Sequence, residues 1–185
     1  MSDHVTPSAP QDSEASASSD RRVRRALSLL ESGGVEELAD APSDLKGLPA
    51  FEAFLARSWS LRHDDPDEMV RLALFATVIA GKLDPEVHGP EVVKDLECRA
   101  WAELGNAYRV ADDLDAADFA LGRAAELALE GSRDELLEAR LFDLQASLHG
   151  ARRSFAAALQ TLDVVHEIYL RHGDHQLFLL SSSVS

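Results

Sequence analysis

Four residues near the carboxyl end of the sequence have side chains that could bind a metal ion: His166, His172, Asp174 and His175. Imidazole and carboxylate groups are common zinc ligands in proteins. His172 and His175 flank Gly173, however, and because glycine commonly ends a helix, the sequence does not define a ligand geometry here. A zinc site and a set of surface histidines both fit this pattern. We favour surface histidines and predict neither a metal nor a cofactor.

The sequence contains none of the common catalytic motifs: no glycine-rich phosphate loop, HExxH pair, cysteine pair or Gly-x-Ser-x-Gly elbow. The acidic pairs Asp64-Asp65 and Asp112-Asp113 are typical of turns and helix caps, which explains them without catalysis. The single cysteine, Cys98, lies in an apolar helical pattern and is predicted to be a small buried hydrophobe. We therefore predict that the protein is not an enzyme, and we keep a helical enzyme with an unrecognised site as a minor alternative.

The composition favours helices over sheets. Hydrophobic residues make up 45% of the 185 residues, but aromatic residues only 6%, so small and straight aliphatic side chains must supply most of the core. This balance predicts an all-α protein. The 33 acidic residues outnumber the 18 Lys and Arg residues, and the formal charge of -15 repels phosphate backbones. We therefore do not expect nucleic acid as a partner.

The sequence also bears on where the protein works. Its amino terminus lacks the apolar run of a secretory signal, and nowhere do about 18 apolar residues follow one another, as a membrane-spanning helix requires. The single cysteine cannot form an internal disulfide, which fits a reducing compartment. We therefore expect no membrane contact and a cytoplasmic location.

Composition divides the chain into four segments. Residues 1–20, rich in Ser, Ala, Asp and Pro, are predicted to be a disordered tail because they cannot bury enough apolar surface to offset the entropy of ordering. Residues 21–48 are predicted to form a basic helix and a loop, with four arginines in the 21–25 segment. Residues 49–172 are predicted to form the helical domain, and residues 173–185 a partial helix or tail.

Within the helical domain, apolar residues recur at helical spacing and predict three helical hairpins, at about 49–83, 90–130 and 133–172. Turn residues and prolines separate them.

Cap residues predict where individual helices begin and end. Asp65 is predicted to cap a helix that starts at Pro66. Ser132 and Glu135 are spaced as a capping box for a later helix. Gly131, just before them, is predicted to end the preceding helix in a left-handed conformation.

The second hairpin carries a set of residues that can pack one helix closely against the next: Trp101, Leu104, Gly105, Tyr108, Ala117, Leu121 and Ala124. Trp101, Leu104 and Tyr108 lie three and four positions apart, and hence on one helix face. A glycine inside a helix costs about 1 kcal/mol relative to alanine. Close approach of the second helix at Ala117 would explain why Gly105 is there.

This order of Trp, Leu-Gly, Tyr and Ala, with a large residue four positions after the alanine, resembles the tetratricopeptide repeat (TPR). The third hairpin matches the second more weakly, with Ala158 corresponding to Ala117 and Leu162 to Leu121, an offset of 41 residues. The resemblance implies stacked antiparallel helical hairpins, that is, a right-handed α-solenoid.

In TPR proteins the first helix of each hairpin lines a concave groove. By this resemblance the groove residues are Arg99, Ala102, Asn106, Arg109 and Val110 in the second hairpin and Arg140, Asp143, Ser147, Gly150 and Ala151 in the third. Three arginines facing one concavity would suit a carboxylate-bearing peptide, because guanidinium groups pair bidentately with carboxylates. A plain solvated face is the alternative. Chaperone binding is not predicted, since Ala102 and Val110 stand where that version of the family needs basic residues.

These patterns predict a scaffolding or regulatory module that binds a peptide or a partner helix in its groove. The alternative is a regulatory subunit of a transcription or signalling complex that contacts its target through the basic 21–25 segment. The apolar residues Leu177–Leu180 further predict a partner surface or a homodimer contact at the carboxyl end.

Overall fold

The computed structural model describes residues 47–172, together with Arg21, Arg24, Arg25 and Ser28. Residues 47–172 contain no strand and form seven helices: α1 (Leu48–Ser60), α2 (Pro66–Ala80), α3 (Pro85–His88), α4 (Pro90–Val110), α5 (Leu114–Glu130), α6 (Glu135–Ala151) and α7 (Phe155–His172). The prediction of an all-α fold is confirmed.

The predicted tail, residues 1–20, and the predicted partial helix, residues 173–185, lie outside the described residues. So does most of the predicted basic helix, of which the four described residues are helical and exposed. Within the described part of the chain, no helix is both long enough and apolar enough to cross a membrane.

Aspartates and prolines set the starts of the helices much as their positions predict. The Asp65 carboxylate accepts a hydrogen bond of 3.0 Å from the backbone N–H of Glu68, and Pro66 is the first residue of α2. The Asp113 carboxylate accepts a 3.1 Å bond from the N–H of Ala116 at the start of α5. Each cap satisfies an N–H that has no partner inside its own helix.

The capping box predicted at Ser132 and Glu135 is wrong. α6 begins at Glu135, and Asp134 caps it by accepting a 2.9 Å hydrogen bond from the N–H of Leu136. The N–H of Ser132 instead donates to the Asp95 carboxylate of α4, at 3.0 Å. Ser132 is therefore bonded to α4 and does not cap α6.

The left-handed conformation predicted at Gly131 is also wrong. Gly131 is extended, with φ −84° and ψ −163°, and the left-handed residue of this loop is Arg133, with φ 63°. A Cβ atom on Gly131 would overlap the Asp95 carboxylate. Glycine here lets the Asp95 carboxylate lie against the backbone, where it accepts from Ser132 N–H, and is not required for a left-handed conformation.

The turn between α4 and α5 closes the end of α4 with two hydrogen bonds. Asp113 N–H donates to the carbonyl of Tyr108 at 2.9 Å, and Asp112 N–H donates to that of Arg109 at 3.2 Å. Asp112 takes the left-handed conformation, with φ 63°. This is the Schellman arrangement, which satisfies carbonyls left without partners at a helix end.

The turn between α6 and α7 repeats that arrangement at an offset of 41 residues. Ser154 N–H donates to the carbonyl of His149 at 2.8 Å, and Arg153 N–H donates to that of Gly150 at 2.9 Å. Arg153 has φ 59°. All four residues follow their counterparts in the first turn by the 41 positions that separate Ala117 from Ala158 in the sequence.

Each long helix packs against the next along the chain: α1 on α2, α2 on α4, α4 on α5, α5 on α6 and α6 on α7. In addition, α4 contacts α6, and α1 contacts α4 over a smaller area. The apolar residues between these helices form several separate clusters, which follow the chain from α1 to α7. The helices α1, α4 and α6 are thus neighbours on one side of the molecule.

Gly105 lies at a close approach of α5 to α4. A Cβ atom there would lie 2.7 Å from Leu121 Cγ and 3.2 Å from the Ala117 carbonyl oxygen. Real Cβ atoms do not approach other heavy atoms as closely as 2.7 Å. The close approach expected at Gly105 is therefore present, and it explains a glycine in the middle of a 21-residue helix.

Candidate functional site on the shared face of α1, α4 and α6

Charged side chains connect α1, α4 and α6 across one surface. We call it the α1–α4–α6 face and define it by Glu52, Trp59, Arg99, Glu103, Asn106, Arg109, Arg140 and Asp143. Five of these residues are among those predicted for the groove. These five residues are not equivalent, because they differ in burial and in the hydrogen bonds and ion pairs that they make within the protein.

Ala102 is buried, and it belongs to the apolar cluster between α4, α5 and α6. Its side chain is not accessible to a ligand. The prediction that Ala102 lines the groove is therefore dropped. Ser147, on α6 one turn beyond Asp143, is half-buried.

Arg99 already has a carboxylate partner. Its Nη1 and Nη2 atoms donate to the two oxygens of Glu52 on α1, at 2.6 and 2.8 Å. Its guanidinium also lies 5.6 Å from the centre of the Phe51 ring. The bidentate pair connects α4 to α1. Arg99 is therefore a bridge between two helices and not a cation available to a ligand.

Arg140 is held in the same way between α4 and α6. Its Nε and Nη2 atoms donate to Glu103 at 3.2 and 3.1 Å, and Nη1 donates to Asp143 at 3.3 Å. Its guanidinium also lies 5.7 Å from the centre of the Trp59 ring on α1. One side chain therefore connects three helices.

Arg109 differs from the other two arginines. Its Nε and Nη2 atoms donate to Asn106 Oδ1 at 3.3 and 2.9 Å, and no carboxylate of the described residues lies within ion-pair distance of it. Burial, reinforced by the nearby charge of Arg140, lowers the pKa of Arg109, although Asp143 opposes this shift. Arg109 is thus a half-buried cation with no directly paired anion.

Asn106, beside it, is only 2% exposed. Its Oδ1 atom accepts from Arg109, but its Nδ2 atom is buried and has no hydrogen-bond partner in the part of the chain that the structure describes. A buried polar group without a partner costs about 1–3 kcal/mol. Asn106 therefore holds the Arg109 guanidinium in place from below the surface, while no carboxylate of the described residues pairs with the charge of Arg109.

Asp143 is a buried carboxylate at the same place. Burial raises its pKa, and the attraction of Arg140 and Arg109 works against that shift without cancelling it. The face therefore combines a bridge in which Arg140 pairs with two carboxylates, Glu103 and Asp143, with the adjacent Arg109, which no carboxylate of the described residues approaches within ion-pair distance.

Trp59 is a member of this face that the sequence did not reveal. Its side chain is 42% exposed, and it lies under two guanidinium groups, with Arg62 at 4.6 Å and Arg140 at 5.7 Å from its ring centre. In the sequence Trp59 fits the apolar period of α1 and reads as a core residue. No local pattern distinguishes a tryptophan at the edge of a helix face from one inside it.

The two described candidate metal ligands, His166 and His172, lie on α7, which is not part of this face. His172 Nε2 is 2.8 Å from Glu135 Oε2, so it ties the end of α7 to the start of α6. Asp174 and His175 lie outside the described residues. Among those that are described, no three or more His, Cys, Asp or Glu side chains are grouped so that they could hold a metal ion.

The lone thiol also lies elsewhere. Cys98 is fully buried among apolar residues of α4, α5 and α6, and burial raises its pKa to about 12. A buried and protonated thiol is a poor nucleophile.

No protein-family model, curated protein or solved structure matches this chain.

Proposed function

We propose that this protein is an interaction module of the TPR type, in which the α1–α4–α6 face is the groove that binds an acidic segment of another protein. The observation that carries the proposal is the pair formed by Asn106 and Arg109. It combines a buried amide donor that lacks a partner with a half-buried cation that lacks a carboxylate.

The repeat architecture is supported by two features that are independent of the Trp-Leu-Gly-Tyr motif. The turns after α4 and α6 use the same backbone hydrogen bonds at an offset of 41 residues. Among the first helices of the three proposed hairpins, α1 also contacts α4 and α4 contacts α6, as successive first helices of a stacked array would.

The ligand class follows from the partners that each arginine already has. Arg99 and Arg140 are neutralised by Glu52 and Glu103, so a ligand would have to break existing ion pairs to reach them. Arg109 requires no such exchange. A carboxylate accepting from Arg109 Nη1 would pair this charge, and hydrogen bonds to charged groups contribute about 1.5–3 kcal/mol each.

The proposal is tested by selecting peptides displayed on phage against the full-length protein and then titrating the enriched peptides in solution. We expect the enriched peptides to carry Asp, Glu or a free terminal carboxylate. Arg109→Met should weaken their binding by about 10-fold or more, since one charge-assisted hydrogen bond is lost. Replacing the peptide's acidic residue by its amide should weaken binding to a similar extent.

Arg123→Met is the matched control. Arg123 is an exposed arginine of α5 that pairs with Glu126 on the same helix, so its loss removes the same charge without touching the α1–α4–α6 face. Equal affinities of the wild type and the Arg109→Met variant, or enrichment of peptides without carboxylates, would exclude this ligand site.

The second candidate function, contact with a target through the basic 21–25 segment, draws support from the exposure of Arg21, Arg24 and Arg25. Replacing the four arginines of that segment by glutamine in the full-length protein separates the two. Groove binding predicts that the selected peptides still bind. Contact through the segment predicts that binding of the target is lost while the groove remains intact.

A further inference from the structure

The face through which α5 contacts α6 has a counterpart on α7. Leu114, Leu121 and Ala125 of α5 belong to the apolar cluster that also contains α6 residues. The 41-residue offset of the two turns places Phe155, Leu162 and His166 at the same positions of α7: Leu114 with Phe155, Leu121 with Leu162, and Ala125 with His166.

On α7 this face is covered less completely. Phe155 and Leu159 are each 64% exposed, and Leu162 is half-buried. By contrast, Leu114 is half-buried and Leu121 is only 2% exposed where α6 covers α5. Large apolar side chains at spacings of three and four along a helix are typical of a surface that packs against another helix. The face points to an occupant with an apolar stripe of its own.

The same offset identifies that occupant within this chain. α6 starts at Glu135, and 41 residues later stands Gln176, followed by Leu177 and Phe178 where α6 has Leu136 and Leu137. We propose that the segment 176–180 docks on the carboxyl-terminal half of α7 in the way that α6 docks on α5. This docking does not depend on the proposed function.

Helix geometry fixes where Phe178 would lie along α7. In the register that matches Ala125 and Leu137, and with the segment antiparallel to α7, Phe178 lies beside His166. Leu159 is about 10 Å farther along α7 at 1.5 Å per residue, beyond the reach of the Phe178 side chain. In the same register Ser181 follows Arg140 by 41 positions, so the segment would add a fourth row to the α1–α4–α6 face.

The test is disulfide formation between engineered cysteines in the full-length chain. The pair His166→Cys with Phe178→Cys corresponds to Ala125 and Leu137, which pack against one apolar cluster. The matched control is Leu159→Cys with Phe178→Cys, which lies on the same face but beyond reach. Cys98 does not interfere, because its thiol is fully buried and its pKa is raised to about 12.

We expect the 166–178 pair to form an internal disulfide at least 10-fold faster than the 159–178 pair, because docking raises the effective concentration of the two thiols. The products are separated by non-reducing electrophoresis and located by mass spectrometry. Equal rates for the two pairs would overturn the proposal. Disulfides that form only between chains would overturn it as well, and would show that a second copy occupies α7.

A second measurement tests docking even if the 166–178 pair cannot form a disulfide because the geometry of the two cysteines is unfavourable. In the single variant His166→Cys, addition of Phe178→Asp should increase the rate of thiol alkylation at least 5-fold, since the charged residue cannot remain in an apolar contact. Leu159→Cys should be alkylated at the same rate with and without that change. An unchanged rate at position 166 would contradict docking of the segment.

Discussion

Gly105 lies where a single added methyl group must collide with the neighbouring helix. Gly105→Ala gains about 1 kcal/mol of helix propensity, but its Cβ atom would lie 2.7 Å from Leu121 Cγ, and relief of such overpacking typically costs about 1–3 kcal/mol. We expect a net loss of stability in urea unfolding. Gly122→Ala is the control, because Gly122 lies in a helix with no atom within 4 Å of its would-be Cβ. This control should gain stability, and a gain at both positions would contradict the close approach.

Asp143 gives a pH dependence whose sign follows from its raised pKa. The folded protein holds the Asp143 proton more tightly than the unfolded chain does, so the carboxyl group's contribution to stability is lost as pH rises through the folded pKa. Asp143→Asn cannot ionise. We therefore expect the stability of this variant relative to the wild type to increase between pH 4 and pH 7, as measured by urea unfolding.

The control for this pH dependence is Asp163→Asn, on the exposed side of α7. Its stability relative to the wild type should vary less with pH over the same range. A difference between Asp143→Asn and the wild type that shrinks as pH rises would mean that the ion pair with Arg140 outweighs burial.

Whether the role of a single residue can be predicted from the sequence depends on how near its contacts lie along the chain. The need for glycine at position 105 is visible because Ala117 and Leu121 lie on the very next helix. The partners of Arg99 and Arg140 are not visible, because Glu52 is 47 residues away and Glu103 is 37. Such pairs depend on how far one helix is shifted along another, and apolar periodicity does not specify that shift.

At the scale of the helices, Arg140 is the side chain whose removal should loosen one helix from another. Arg140→Met leaves Glu103 and Asp143 without their cation, and both are less than one quarter exposed. We expect a loss of about 1–2 kcal/mol in urea unfolding, since partly buried charges are screened less than surface ones. Arg123→Met removes an exposed pair within one helix and should cost at most about 0.5 kcal/mol. Equal losses would mean that the bridge contributes nothing beyond a surface pair.

Helix ends show a similar division between what local sequence determines and what it does not. Asp65 and Pro66 act as predicted, because a cap and its N–H partner lie within three residues of each other. The loop from Gly131 to Asp134 differs from its predicted cap structure because its shape depends on Asp95 in α4. Asp95 accepts a hydrogen bond from Ser132 and fills the space beside Gly131. A contact across 37 residues thus outweighed two local signals.

For the molecule as a whole, the contacts of α7 are chiefly with α6. Ile168 lies in a cluster with Ala139 and Phe142, whereas Cys98 lies in a different cluster with Leu144. In a linear stack of helices, stability is a sum over neighbouring interfaces, so one end can open without the centre. Contacts at the far end of the chain should therefore have little influence on the environment of Cys98.

Cys98 can report on this directly, because its thiol is fully buried and burial raises its pKa to about 12, so modification requires the surrounding helices to separate. Leu144→Ala should destabilise the Cys98 cluster by about 2 kcal/mol or more and raise the rate of thiol modification at least 25-fold, since each 1.4 kcal/mol is a factor of ten. Ile168→Ala removes a similar volume from α7 and should raise that rate less than 3-fold. Equal increases would show that residues 47–172 unfold as a single cooperative unit, which is the behaviour of a globular bundle and not of a linear stack.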